Sequence, residues 1–346
     1  NSKSGERGIY NRQSAVEKSL ENGRRNADYD FGTNPCSEII LRPYQFCNLT
    51  EVVVRADDKI VDLERKIELA TILGTIQSTL TDLKYLRKIW KDNTEEERLL
   101  GVSLTGIMDN ELLNTASAGY LSDLLSQLKQ VAVDTNLGLS EQLGIPQSTA
   151  ITCVKPSGTV SQLVDSASGI HARHSEYYIR TVRGDKKDPL TQFMQSAGVP
   201  VEDDIMQPDS TVVFSFPVKS PKKAVTRNDT GALEQLNLWL KYQKNWCEHK
   251  PSVTITVKED EWLDVGAWVY ENFNDVAGIS FLPHSDHTYK QAPYQECTKE
   301  EYLDLKKRMP KNINWQDLSE LEKEDSTRGG QELACTADSC EIVDIT

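Results

Sequence analysis

The sequence predicts an α/β protein on three observations. Short apolar, β-prone runs recur along the chain; stretches with apolar residues at helical spacing lie between them; and a hydrophobic content of 38% over 346 residues is enough to build a real core. Strands that alternate with helices favour parallel pairing through crossovers. In chain order, residues 13–21 read as a short helix that leads into the turn-forming run FGTNP. The run IILRPYQFCNLTEVVV at 39–54 is apolar and β-prone, so Cys36 falls at the mouth of a loop and Cys47 near a strand. Leu63, Ile67, Ala70 or Leu73, and Ile76 recur at helical spacing and predict an amphipathic helix over 61–80.

LLGVSLTGIM at 99–108 reads as a buried strand followed by a turn, and Leu121, Leu124, Leu128, Val131 and Thr135 mark the next helix. AITCVKPSGTVSQLVD gives a strand at 150–154, a loop at 156–161 and a helix start. Further strands are expected at 211–218, 252–257 and 277–283, with helical segments near 230–248 and 258–272. From 296 the chain is charged and weakly patterned, and Gly329 and Gly330 suggest a hinge before the last residues. The expected division is therefore 1–295 and 296–346.

Lys and Arg number 39 against 53 Asp and Glu, a net charge of -14 that opposes broad nonspecific binding to nucleic acid. Small anionic substrates remain compatible, because backbone N–H groups can hold phosphate whatever the net charge. No apolar run approaches the ~20 residues that span a bilayer. NSKSGERGIYNRQ lacks a signal-peptide core, so no membrane association and a cytoplasmic location are expected. The seven cysteines, odd in number and thinly spread, do not suggest a secreted disulfide framework. The polar opening from Asn1 leads us to expect a further segment upstream.

Three constellations carry chemistry. Asn34-Pro35-Cys36-Ser37-Glu38 places a thiol in a stiff turn, and Glu38 projects the same way if the backbone is extended; Cys47 follows, with Asn48-Leu49 after it. In isolation C-x-E is more often a buried structural cysteine beside a surface glutamate. Lys155-Pro156-Ser157-Gly158-Thr159-Val160-Ser161 lies between a strand and a helix start. Its small residues, hydroxyls and N–H groups suit phosphate, although alone it reads as an ordinary strand-to-helix turn. It lacks the Walker pattern, which argues against an ATPase. Cys335 and Cys340 form a C-x4-C pair near the end, suited to thiol–disulfide exchange or to half of a zinc site; no second pair or nearby His completes four ligands. His171 and His174, as H-x-x-H without carboxylate support, give a weak metal signal, and no metal site is expected.

The whole string NPCSEIIL followed by FCNL resembles the active-site signature of ribonucleotide reductases. NPC, with LRP before FCNL, is most similar to the monomeric class II enzymes that use adenosylcobalamin and reduce ribonucleoside triphosphates. The resemblance extends over essentially the whole chain. It implies the second half of a ten-stranded α/β barrel whose central finger loop carries Cys36 as the radical cysteine. Glu38 would be the general base on the ribose 3′-OH, Asn34 would position the hydroxyls, and Cys47 would be one of two reducing thiols. It also implies that Pro156, Ser157, Gly158, Thr159, Val160 and Ser161 hold substrate phosphates. Cys335 and Cys340 would shuttle electrons from a thioredoxin-like reductant, and an N-terminal half, on a separate or spliced polypeptide, would complete the barrel.

Two alternatives stand beside it. One is a class I large-subunit fragment served by a separate radical-generating protein. The adjacent Tyr177-Tyr178 pair comes too early for that class's tyrosine relay, and NPC replaces its usual NLC. The other is a non-catalytic interaction fragment that keeps the motifs by descent.

Overall fold

The computed structural model describes residues 8–117, 119–284, 290–322, 331–332 and 342–343. Cys335, Cys340 and the Gly329–Gly330 pair lie outside the described residues. In order the elements are β1 (Ile9–Tyr10), α1 (Arg12–Leu20), β2 (Gly32–Thr33), β3 (Ile40–Leu41), β4 (Asn48–Val53), α2 (Ile60–Gln77), α3 (Lys88–Glu97), β5 (Leu100–Thr105), α4 (Leu121–Leu143), β6 (Thr152–Cys153) and α5 (Val160–Leu163). They continue with β7 (Tyr177–Asp185), α6 (Pro189–Ser196), β8 (Val201–Asp203), β9 (Thr211–Lys219), α7 (Ala232–Asn245), β10 (Thr254–Val257), α8 (Trp262–Glu271), β11 (Gly278–Pro283), β12 (Tyr294–Glu296), α9 (Lys299–Arg308) and α10 (Leu318–Leu321). Two short strands, β13 (Gln331–Glu332) and β14 (Ile342–Val343), pair antiparallel.

The chain divides into two compact units. The first runs to Arg173 and resumes over Lys222–His284. Its strands β4, β5 and β6 are parallel neighbours in that order, β10 and β11 are parallel, and a parallel bridge between Val154 and Pro251 joins the two groups. The result is a series of five parallel strands, with β1 antiparallel against β11. Every residue of β5 is buried, as expected for a strand covered on both faces. The helices α2, α4, α7 and α8 supply Leu63, Ile67, Leu125, Leu128, Leu236, Trp239, Val265 and Val269 to one core.

The inward face of α2 differs from the one that its spacing suggests. Leu73 and Ile76 are exposed, whereas Thr71, Gly74 and Thr75 are buried. Small residues there allow close approach: a methyl at Gly74 would meet the side chains of Leu100 and Thr50 at 3.5 Å, and Asn136 on α4 donates to Thr75 Oγ1 at 2.9 Å.

The second unit comprises His174–Pro221 and the described residues from 290 onward. Its sheet, in order β12-β7-β9-β8, is antiparallel throughout, so 211–218 is not one of the parallel strands expected from the sequence. The long β7–β9 pairing, Tyr177 opposite Lys219 through Asp185 opposite Thr211, explains this: the two strands return on one another. The region after 296, which looked weakly patterned, opens with a capped helix, in which Thr298 accepts from Glu301 N and Tyr302 and Leu305 turn inward. Among the described residues no helix is long and apolar enough to cross a membrane.

Candidate active site

Asn34, Cys36 and Glu38 sit on the tip of a hairpin. β2 and β3 pair with Thr33 opposite Ile40, which leaves 34–39 as the connecting loop. Asn34 closes it twice, its carbonyl accepting from Ser37 N at 2.8 Å and its Oδ1 from Ile39 N at 3.0 Å. The backbone is not extended between the thiol and the carboxylate: Ser37 has φ 68, in the left-handed region that a residue with a side chain rarely occupies. The two functional groups are thus presented by a turn held from outside. Ser252 Oγ donates to the Cys36 carbonyl at 2.6 Å, Lys250 N to the Glu38 carbonyl at 3.2 Å, and Arg25 to the Ile40 carbonyl at 2.9 Å.

Glu38 is fully buried, and neither of its carboxylate oxygens has a hydrogen-bond partner among the described residues. Lys155 Nζ stands 3.8 Å from Oε1, close enough for charge attraction but too far for a hydrogen bond. A buried carboxylate without donors is costly unless something else supplies them. The Cys36 residue is only half-buried. Burial pushes its thiol up, the Glu38 charge pushes it further, and Lys155 opposes both. Burial and then Glu38 hold the Cys47 thiol well above its usual range. The same carboxylate thus acts on both sulfurs.

Cys47 lies one residue before β4, and Gly101 on β5 makes room for it: a methyl there would overlap Leu49 and come within 3.1 Å of Cys47 Sγ. Cys153 and Cys247 are fully buried, while Cys297 is partly exposed in the second unit.

The 156–161 loop follows β6. Ser157 is buried with φ 53, Gly158, Thr159 and Val160 are exposed, and Ser161 is buried with its hydroxyl unpaired among the described residues. Ser157 Oγ donates to Glu51 Oε2 at 2.8 Å, which ties the loop to β4, the strand that follows Cys47. The expected helix after it is a single turn, Val160–Leu163. It ends where Asp165 turns left-handed (φ 48) and is held by Arg173 at 3.0 Å, so N–H groups of a long helix are not what this loop offers.

Residue spacing did not reveal Glu51, Lys155, His249, Lys250 or Ser252 as neighbours of the turn. Burial raises the Glu51 carboxyl, the Ser157 hydrogen bond and Lys155 lower it, and Glu38 adds to the rise. Burial takes His249 down to about 3; its Nε2 faces the Leu100 carbonyl at 2.9 Å and its Nδ1 faces Ile40 N at 3.4 Å. The only available signal was the run HKPS, two basic residues set just before a strand. His171 faces the Ser168 carbonyl through Nδ1 at 3.0 Å and accepts from Thr254 N through Nε2 at 3.0 Å, so both ring nitrogens have protein partners. Among the described residues no group of three or more His, Cys, Asp or Glu is placed to hold a metal ion.

Comparison with known proteins gives the constellation a context. The chain is 30% identical over 321 residues to an adenosylcobalamin-dependent ribonucleoside-triphosphate reductase of Euglena gracilis, covering 89% of this chain and 42% of that protein. By sequence, the chain is a relative of these reductases. A probable enzyme of the same name from Dictyostelium discoideum is 30% identical over 324 residues, covering 90% of this chain and 40% of that protein. The chain spans less than half the length of the curated relatives it matches. No family model matches.

The crystal structure of a B12-dependent class II ribonucleotide reductase superposes with a TM-score of 0.74 over 94% of this chain and 49% of that one, at 23% identity, which establishes a shared fold. The α subunit of a class Id reductase from Actinobacillus ureae superposes less well, with a TM-score of 0.55 at 13% identity over 81% of this chain and 58% of that one.

Proposed function

We propose that this chain is the C-terminal catalytic portion of an adenosylcobalamin-dependent ribonucleotide reductase, which reduces ribonucleoside triphosphates to deoxyribonucleotides. The observation that carries the reading is Glu38: a fully buried carboxylate whose two oxygens lack hydrogen-bond donors among the described residues, two residues from a partly open thiol. A sugar hydroxyl would supply the missing donor. In this reading 1–295 contribute the second half of a ten-stranded barrel through the parallel strands of the first unit, and the turn that bears Cys36 belongs to its finger loop. Residues 296–346 end in the redox pair Cys335 and Cys340.

The chemistry follows from the residues. As a thiyl radical, Cys36 takes the ribose 3′ hydrogen, forming S–H as C3′–H breaks. Glu38 accepts the 3′-OH proton, which assists departure of the 2′-OH as water, and Asn34 orients the hydroxyls. Cys47 and a second thiol on the remaining polypeptide supply two electrons and two protons and end as a disulfide. Glu38 gives its proton back to O3′, and Cys36 then returns the hydrogen to C3′. Cys340 and Cys335 would reduce that disulfide and pass it to a thioredoxin-like protein.

When bound, adenosylcobalamin supplies the carbon-centred radical that removes the hydrogen atom from the Cys36 thiol. Cys36 fits that contact because it is partly open, whereas Cys153 and Cys247 are sealed. Substrate phosphates would lie at the exposed Gly158–Val160 stretch of the 156–161 loop, whose base Ser157 and Glu51 fasten.

The test joins this chain to its N-terminal portion and supplies adenosylcobalamin, a dithiol and either a ribonucleoside triphosphate or diphosphate. Deoxyribonucleotide should form from the triphosphate, and Cys36→Ser should abolish it. Turnover that persists in Cys36→Ser overturns the reading. Turnover that needs a separate metalloprotein instead of cobalamin would replace it with the class I alternative.

A further inference from the structure

Lys250 lies in the HKPS segment between α7 and β10, yet its charged end reaches the radical-cysteine turn. It is about 1% exposed. Its ammonium donates to Ser37 Oγ at 2.5 Å, and its backbone N–H to the Glu38 carbonyl at 3.2 Å. Space for it exists because residue 278, at the start of β11, is glycine. A Cβ there would overlap Lys250 Nζ and stand 3.1 Å from its Cε and 3.3 Å from Ser37 Oγ. Three segments distant in sequence therefore converge under one turn.

A buried ammonium is costly and needs compensation. Burial brings Lys250 down to about 7, and the charge of Glu38 draws it back up, with a smaller upward effect from Cys247. Lys155, just before the 156–161 loop, approaches the same carboxylate, and Lys18 and Lys129 act on Cys247. Ser37 is also the residue with the unfavourable left-handed φ, so the hydrogen bond falls where the turn most needs support.

We propose that Lys250 is a positioning residue for the reductase chemistry: its ammonium holds Ser37 in the left-handed turn that presents Cys36 and Glu38. The role rests on the reductase reading above. It assigns Lys250 no contact with substrate; its effect passes through Ser37.

The experiment uses the joined enzyme with adenosylcobalamin and follows kcat/KM for deoxyribonucleotide formation against pH. Lys250→Met keeps the length of the side chain and removes the charge. We expect kcat to fall about tenfold at neutral pH with KM little changed, and the limb in which the wild-type rate falls as Lys250 loses its proton above about 7 to be absent, because methionine has no proton to lose. Gly278→Ala keeps the lysine and pushes its ammonium off Ser37; it should lower kcat and weaken the same limb, and it decides the matter if Lys250→Met does not fold.

A wild-type limb in these variants, whether or not the rate falls, overturns the proposal, since a purely structural role would lower the rate without moving the profile. Cys36→Ser is the control for the underlying reading. If it stays active, the reductase assignment fails; if it is dead while the Lys250 and Gly278 variants keep the wild-type profile, only the positioning role fails.

Discussion

Replacing Arg25 with methionine should loosen both ends of the segment that carries the candidate site. Arg25 and Glu97 are among the most deeply buried charges in the first unit, with side chains 1% and 3% exposed. The guanidinium donates twice to the carboxylate, at 3.0 and 2.9 Å, and also to the Ile40 carbonyl at 2.9 Å and to Gln45 Oε1 at 3.2 Å. Gln45 donates back to Glu97 at 2.5 Å. Ile40 is two residues past Glu38 and Gln45 is two before Cys47, so one guanidinium clamps the loop on both sides.

Methionine matches much of the volume but leaves the Glu97 charge buried without its cation. Removing one partner of a buried ion pair costs about 3–5 kcal/mol. In Arg25→Met/Glu97→Met no charge is stranded, and what remains is mainly the unpaired Gln45 amide and Ile40 carbonyl, at about 1–3 kcal/mol each. The double variant should therefore lose clearly less than the sum of the two singles. Urea unfolding followed by the fluorescence of buried Trp239 and Trp246 measures this in the first unit, with the midpoint read at unchanged slope. A loss below about 1 kcal/mol in Arg25→Met, or strict additivity in the double variant, would refute the clamp.

Two further outcomes follow from the site. The Cys36 thiol, raised by burial and by Glu38, should react with iodoacetamide more slowly at neutral pH than a free cysteine. Glu38→Gln should speed that reaction by removing the anion that opposes the thiolate, with site-resolved mass spectrometry as the readout; a slower or equal rate in the variant would contradict the coupling. His249, held neutral by burial first and then by the Arg25 charge, has its folded value depressed to about 3. Its contribution is complete above the unfolded value near 6.5 and is lost as pH falls toward 3, at about 1.4 kcal/mol per pH unit. Unfolding curves of His249→Gln across that window should be flatter than those of the parent, and an unchanged slope would show that the imidazole takes up its proton while folded.

The legible parts of the fold were those in which local pattern and tertiary role coincide. LLGVSLT read as a buried strand because β5 is covered on both faces, and Leu121, Leu124 and Leu128 of α4 face the core at the spacing their sequence shows. The antiparallel return of β7 onto β9 was hidden because Tyr177–Asp185 mixes arginines with apolar residues and its burial depends on its partner strands. The start of α9 was readable in principle, since Thr298 and Glu301 form a capping box; the charge of KEEYLDLKKR obscured it. On α2 the exposed Leu73 and Ile76 outweighed the small buried residues in any apolar count, although Gly74 and Thr75 make the contact.

The candidate site shows the same division more sharply. Cys36 and Glu38 could be singled out because they share one contiguous motif, and nothing contiguous could show what holds it. The left-handed Ser37 bears on an ammonium 213 residues later in the chain, and that ammonium fits only where residue 278 lacks a side chain. The shape of the turn thus depends on one cation, and a substitution at either distant position should disturb it. A search confined to the NPCSE string would leave such a loss unexplained.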